Sequence, residues 1–335
     1  MAILVTGAAG FIGSNFVLDW FSQSNEDIVS LDLLTYAGVF ENLSPLENNS
    51  RHHFIRGNIA DRVLVSKLLK KYHIRAVVHF AAESHVDRSI HRPNDFIETN
   101  IVGTFHFLEC IRDYWDLLNQ DLKKEFRFLH ISSDEVYGCL NYDAPPFTER
   151  HRYQPNNPYS ATKAASDHLV RAWHQTYNLP VITIHLSNNY GPYHFPEKLI
   201  PLTILNALNS KPLTIYGDGK QIRDWLYVKD SCKGIYMVLK KGVLGEVYNM
   251  GGSNEKTNYE VVNHICSILD EIKLRKDGKS YSEQIAFIQD RLGHDRRYAI
   301  DSSKIEKDLG WQPSESFESG LRKTIIWFIE NYKIV

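Results

Sequence analysis

Two short stretches of this sequence carry groups able to move protons. In Ser132-Ser133-Asp134-Glu135-Val136-Tyr137-Gly138, two carboxylates adjoin a hydroxyl. If one acid is held neutral and the other ionised, the pair can donate one proton and accept another. The plainer reading is that Asp134 or Glu135 caps a turn or faces water. In Tyr159-Ser160-Ala161-Thr162-Lys163, a phenol and an ammonium stand four residues apart, on one face of a helix. A phenol with a pKa of about 10 is a poor base at neutral pH unless positive charge nearby favours the phenolate. The same spacing recurs at Tyr216–Lys220, where it spans a glycine turn, and at Tyr236–Lys240, beside a surface helix end.

The elements around these groups explain how they are held. Phe126 to Ile131 is apolar and aromatic and reads as a buried strand, so the two acids fall at its carboxyl end. In an open parallel sheet, ligands bind beyond that end of the strands. Pro155-Asn156-Asn157-Pro158 breaks the chain, and a helix from Tyr159 to about Tyr177 follows.

Upstream, Ala2 to Val5 reads as a first strand, followed by Thr6-Gly7-Ala8-Ala9-Gly10-Phe11-Ile12-Gly13 and helical spacing over Ser14 to Phe21. Gly7, Gly10 and Gly13 allow a tight turn and close approach of backbone N–H groups to a pyrophosphate. A second strand, Asp27 to Leu31, ends at Asp32, where a carboxylate would hold the ribose hydroxyls of NAD and repel a 2′-phosphate. Its alternative is a solvated turn acid. Phe54 to Asp61 reads as a third strand and its exit, where Asn58 and Ile59 could bracket an adenine. Ala76 to Phe80 reads as a fourth strand, where small Ala81 and Ala82 leave room for the dinucleotide or merely fill a core. Bound at that place, an oxidised nicotinamide would join Lys163 in favouring the Tyr159 phenolate. Arg62 to Tyr72 and Phe96 to Trp115 read as helices. Thr99 and Asn100 fall near the start of the second, where an Asn more often faces water or caps than binds a ligand. This alternation predicts an α/β fold with a doubly wound, mostly parallel sheet of Rossmann type.

Composition narrows the function class. Hydrophobic residues make up 43% and charged residues 23%, which suits a globular protein. Lys plus Arg is 38 against 40 Asp plus Glu, so no basic excess argues for nucleic acid. The four cysteines and fifteen histidines show no metal-binding spacing, and the pattern fits a reducing, cytoplasmic setting without metal. No membrane span, leader or repeat is apparent.

Beyond the strand Val181 to Leu186 the texture changes, and a smaller α/β substrate domain is expected over 187–335, after an NAD-binding domain over 1–186. Residues 228–250 are expected to pack back on the first domain, with Asn249 to Gly252 as a turn and Phe317 to Tyr332 as a terminal helix. Arg223, Arg291, His294, Arg296 and Arg297 are expected in loops, and arginine forks suit a diphosphate.

The glycine loop, Asp32 and Tyr159–Lys163 resemble the extended short-chain dehydrogenase/reductase superfamily. Within it the chain is similar to the dTDP-glucose 4,6-dehydratase family, through LDLLTYAG (31–38), AAESHVDRSI (81–90), FIETNIVGT (96–104), SSDEVYG (132–138), SNNYGPYHFPEKLIPL (187–202), QIRDWLYV (221–228), GHDRRYAID (293–301) and LGWQP (309–313). Ser133 stands where that family usually has Thr, Leu292 where proline is usual and Asn58 where Asp is frequent, and the segment between Gly138 and Phe147 is short.

The resemblance implies tightly bound NAD, contacted also by Phe11, Ile12, Thr35, Ser84 and Thr99. It implies catalysis by Ser133, Asp134, Glu135, Tyr159 and Lys163. It places a nucleotide sugar against Ser84, Ser133, Asn189, Arg223, Asn258 and Arg291, with Glu197, Lys198, Leu199, His294 and Tyr298 nearby. The reaction implied is oxidation of the hexose at carbon 4, loss of water across carbons 5 and 6, and reduction at carbon 6, in deoxysugar biosynthesis such as that of dTDP-rhamnose. A homodimer paired through helices near 100–115 and 160–176 is also implied. The rivals are another NAD-dependent nucleotide-sugar dehydratase or epimerase, which as an epimerase needs no acid–base pair, and a silent NAD-binding scaffold.

Overall fold

The computed structural model describes residues 1–332. Six strands alternate with helices in its first part: β1 (Ala2–Thr6), β2 (Asp27–Asp32), β3 (His52–Arg56), β4 (Ile74–His79), β5 (Arg127–Ser133) and β6 (Val181–Leu186). Then follow β7 (Asn188–Tyr190), β8 (Leu213–Tyr216), β9 (Ile222–Tyr227), β10 (Val247–Met250), β11 (Glu255–Thr257) and β12 (Ile285–Ile288). Every residue of β1 and β6 is buried, as expected of parallel strands covered on both faces. The main sheet is seven-stranded, ordered β10-β6-β5-β4-β1-β2-β3, with every pairing parallel. The order reverses between β1 and β4, so a crevice opens beyond their carboxyl ends.

Apolar cores lie on both faces of this sheet. One contains Phe16, Val17 and Trp20 of the helix Phe11–Gln23 with Cys232, Ile235 and Val238 of the helix Val228–Lys241. The other contains side chains from the helices Arg62–Lys71, Thr104–Asp116 and Pro158–Tyr177. A third core joins the helices Leu199–Leu208, Asn258–Ile272 and Phe317–Asn331. Beside it β9 pairs with β7 and β11, and β8 pairs with β12. Residues 228–250 supply both a helix against Phe11–Gln23 and the edge strand β10 beside β6.

Three local expectations change. The helix expected over Phe96 to Trp115 is interrupted: Pro93–Phe96 runs into a π-helical stretch, Ile97–Gly103, before Thr104–Asp116. Asn249 and Met250 end β10 rather than forming a turn, because their backbones pair with His185 and Leu186. Arg223 lies in β9, not in a loop. Among the described residues, no helix is long and apolar enough to cross a membrane, no group of His, Cys, Asp and Glu is arranged to hold a metal ion, and the four cysteines are free.

Candidate active site

A cleft of about 470 Å³ runs from the glycine turn across the ends of β1, β4 and β5 to the third core. At one end the turn is built for close packing. Gly7 has φ +66°, and a Cβ there would lie 2.7 Å from the Ala81 backbone nitrogen. A Cβ on Gly13 would lie 2.2 Å from the Gly7 carbonyl oxygen. The helix Phe11–Gln23 starts at Gly10 with no side-chain cap and no acid in its first turn. Its free N–H groups and positive dipole end suit a pyrophosphate. Asp32 lies at the end of β2, its carboxylate accepting from the Ala9 and Leu34 amides at 2.9 and 2.8 Å. Burial raises its pKa, and those two amides oppose the shift. Phe11, Ile12, Thr35, Asn58, Ile59, Ala81, Ala82, Ser84 and Thr99 also line the cleft. These residues fit NAD: an uncapped helix end for the phosphates, a carboxylate at the ribose position and glycines where a side chain would collide.

The proton-moving groups lie at the middle of the cleft. Ser133 ends β5, and its Oγ accepts from the Glu135 amide at 3.2 Å, folding Asp134–Tyr137 into a single 3₁₀ turn. Asp134 is 2% exposed, and its Oδ2 is buried with no hydrogen-bond partner. Burial, then the charge of Glu135, pushes its carboxyl well above the usual range, which favours the neutral acid. The Glu135 carboxylate is approached by Asn157 Nδ2 at 3.4 Å. Asn157 also caps the helix Pro158–Tyr177, in a reciprocal capping box with Ser160 and with proline at the first position. Tyr159 and Lys163 sit on its first turns, both buried.

Burial and the Glu135 charge raise the Tyr159 phenol, while a hydrogen bond with Ser133 acts in the opposite sense. Lys163 Nζ donates to the Ile131 carbonyl at 2.8 Å, and burial lowers its pKa to about 8. Protein charge alone therefore does not make the phenolate.

The far end holds cations and amides. Arg223 is 5% exposed, donates to the carbonyls of Ile222 and Asp295, and lies 4.3 Å above the Tyr298 ring. Tyr298 does not line the cleft: its hydroxyl turns to Asp295, and its ring backs Arg223. Arg291 pairs with Asp87 at 3.3 Å across the cleft, and its Nε is buried without a partner. Lys198 Nζ donates to the Ser84 carbonyl at 3.0 Å. Asn189, Glu197, Leu199, Asn258 and His294 complete that wall. Burial holds the His294 imidazole at about 4. Arg296 and Arg297 turn away, to Asp218 and Glu255.

Asn100 was expected to face water or to cap its helix; it does neither and is buried. It donates to the Glu83 carbonyl and to Thr162 Oγ1, and accepts from the Glu83 amide at 2.8 Å. It thus ties the Ala81–Ser84 loop to the Tyr159 helix. Tyr36, His85 and His194 also line the cleft; His194 stacks on Phe11 at 4.2 Å. No spacing signal marks these residues, since their neighbours are distant in the chain.

Residues 4–324 match the model of the GDP-mannose 4,6 dehydratase family. A dTDP-glucose 4,6-dehydratase from Xanthomonas campestris pv. campestris is 57% identical over 98% of this chain and 93% of its own length. One from Escherichia coli (strain K12) is 54% identical over 100% of this chain and 94% of its own. The crystal structure of the dTDP-glucose 4,6-dehydratase DesIV from Streptomyces venezuelae, with NAD and TYD bound, superposes with a TM-score of 0.90 at 42% identity, covering 99% of this chain and 98% of that one. Shared fold, near-complete coverage and identity above one half in the sequence relatives place this cleft in one lineage: the chain belongs to the dTDP-glucose 4,6-dehydratase family.

Proposed function

We propose that this protein converts dTDP-glucose to dTDP-4-keto-6-deoxyglucose and water. One observation carries the reading: Asp134, buried with one carboxyl oxygen unpartnered, stands beside Glu135 in the same cleft as Tyr159. Tyr159 takes the proton of the 4-hydroxyl, which Ser133 orients, while Lys163 lends positive charge. When bound, NAD supplies the hydride acceptor at carbon 4, the hydride donor at carbon 6, and further positive charge beside Tyr159. The ketone at carbon 4 acidifies the carbon 5 proton, and Glu135 removes it. Asp134 gives its proton to the departing 6-hydroxyl, which leaves as water, and Glu135 returns a proton to carbon 5. Asn189, Arg223, Asn258 and Arg291 hold the nucleotide diphosphate, with Tyr298 supporting Arg223 from behind. An epimerase needs no acid for water loss, so the Asp134–Glu135 pair in the cleft argues against that second reading.

The test uses dTDP-glucose deuterated at carbon 4 with purified protein, read by NMR and mass spectrometry. Deuterium at carbon 6 of a 4-keto-6-deoxy product is expected. Absence of that product, with turnover of a UDP- or GDP-hexose instead, overturns the choice of nucleotide.

We further propose that the chain works as a cytoplasmic homodimer in deoxysugar biosynthesis, such as that of dTDP-rhamnose, with an NAD-binding domain over 1–186 joined by 228–250 and a nucleotide-sugar domain over 187–335. The half-exposed Phe105 and Tyr177 on the helices expected to pair support the dimer, and light scattering tests it.

A further inference from the structure

Beneath Lys163 lies a polar cluster that the mechanism above does not use. Asp167 is on the same helix as Lys163, one turn further on, and is 4% exposed. Its Oδ1 accepts from His130 Nε2 at 3.0 Å, and its Oδ2 from His185 Nε2 at 3.0 Å and Ser132 Oγ at 2.9 Å. His130 and Ser132 lie two apart on β5, so both side chains point to this helix. The residue between them, Ile131, gives its carbonyl to Lys163. Lys163 and Asp167 therefore grip the same three residues of β5, just before Ser133. His185 passes the contact on: its Nδ1 meets the Tyr137 hydroxyl at 2.7 Å, and Tyr137 ends the turn that starts with Asp134 and Glu135.

We propose that Asp167 is a positioning residue: held on β5 and β6 by His130, Ser132 and His185, one helical turn from Lys163, it keeps Lys163 an ammonium ion beside Tyr159. The titratable groups around Lys163 are His79 on β4, His130 on β5, and Tyr159 and Asp167 on its own helix, with His185 on β6 reached through Asp167. Glu135 and Asp134, on the adjoining turn, and Asp167 more weakly, raise the Tyr159 phenol in addition to its burial, so loss of the Asp167 charge moves the two groups in the same direction, Tyr159 less than Lys163. Burial keeps His79 and His130 neutral. Burial alone would raise the Asp167 carboxyl too, but the hydrogen bonds from His130 and His185 hold it well below the usual carboxylate range. Among the groups around Lys163, Asp167 is thus the anion that opposes the loss of the Lys163 proton.

The inference rests on the reading above and is tested on the holoenzyme through the pH profile of kcat/KM for dTDP-glucose. In Asp167→Asn the alkaline limb moves about one pH unit to lower pH, the order expected when an opposite charge one helical turn away in a buried cluster is removed. Asp167→Glu and Ser132→Ala, which keep the charge, leave the limb where it is in wild type. Where Asp167→Asn does not fold, Asp167→Ser removes the same charge in a smaller side chain and is read in the same way. A loss of rate by one factor at every pH in the neutral variants makes the role structural and overturns the proposal. Wild type inactive on this substrate overturns the parent reading, and this inference with it.

Discussion

At the scale of single residues, Asp134 sets function against stability. Its carboxyl is raised by burial and by Glu135, so the native state holds the proton more tightly than the unfolded chain does. The sign follows from linkage: the stabilising contribution is complete below the unfolded pKa, near 3.8, and is lost as pH rises through the higher native value. Asp134→Asn cannot ionise. We expect its melting temperature to gain on wild type as pH rises from 5 to 9, while water loss falls by ~100-fold or more, within the range general acid catalysis contributes. A thermal-shift series and a product assay measure both. Glu135→Gln is expected to permit oxidation at carbon 4 yet slow removal of the carbon 5 proton, so that a rapid-quench time course accumulates the 4-keto hexose. Unchanged dehydration would take that role from Glu135.

At the scale of elements, the π-helical stretch Ile97–Gly103 places Thr99 on the cleft and Asn100 in the core. Asn100→Ala strands the buried amide and carbonyl of Glu83. The expected cost is about 1–3 kcal/mol per unsatisfied group, read by urea denaturation, with weaker NAD retention through the loosened Ala81–Ser84 loop. Sequence reasoning located what is local. The glycine turn, Asp32 and the Tyr159 helix each declare themselves within a few residues, because turn geometry and capping are short-range. Asn100 did not, because its partners are 17 and 62 residues away. Arg296 and Arg297 looked the same as Arg291 in sequence; their separation depended on Asp218 and Glu255, which only the folded chain brings near. The π stretch was likewise hidden, since its residues keep an ordinary apolar helical spacing.

At the scale of the whole molecule, the cleft is closed by residues from both sides of the chain. Asp87, on the helix Val86–His91, holds Arg291 and also accepts from the Tyr216 hydroxyl at 3.4 Å. Arg291 keeps a buried N–H free for an anion. Arg291→Ala is expected to raise KM ~10–100-fold with little change in kcat, because charge-assisted hydrogen bonds contribute ~1.5–3 kcal/mol and the diphosphate is remote from the reacting carbons. Steady-state kinetics separate the two parameters.

The strand order carries a consequence for how the protein is made. β6 is bordered on one side by β10, whose residues come more than sixty positions later, and the helix Phe11–Gln23 is covered by Val228–Lys241. While the ribosome has delivered only residues 1–186, β6 presents a bare hydrogen-bonding edge and Trp20 lacks its apolar cover, the conditions under which nascent chains associate with one another. The N-terminal half must therefore wait, shielded, until residue 250 emerges. Released chains ending at 186 should require a chaperone or aggregate, whereas chains extended through 250 should resist proteolysis over their first two hundred residues.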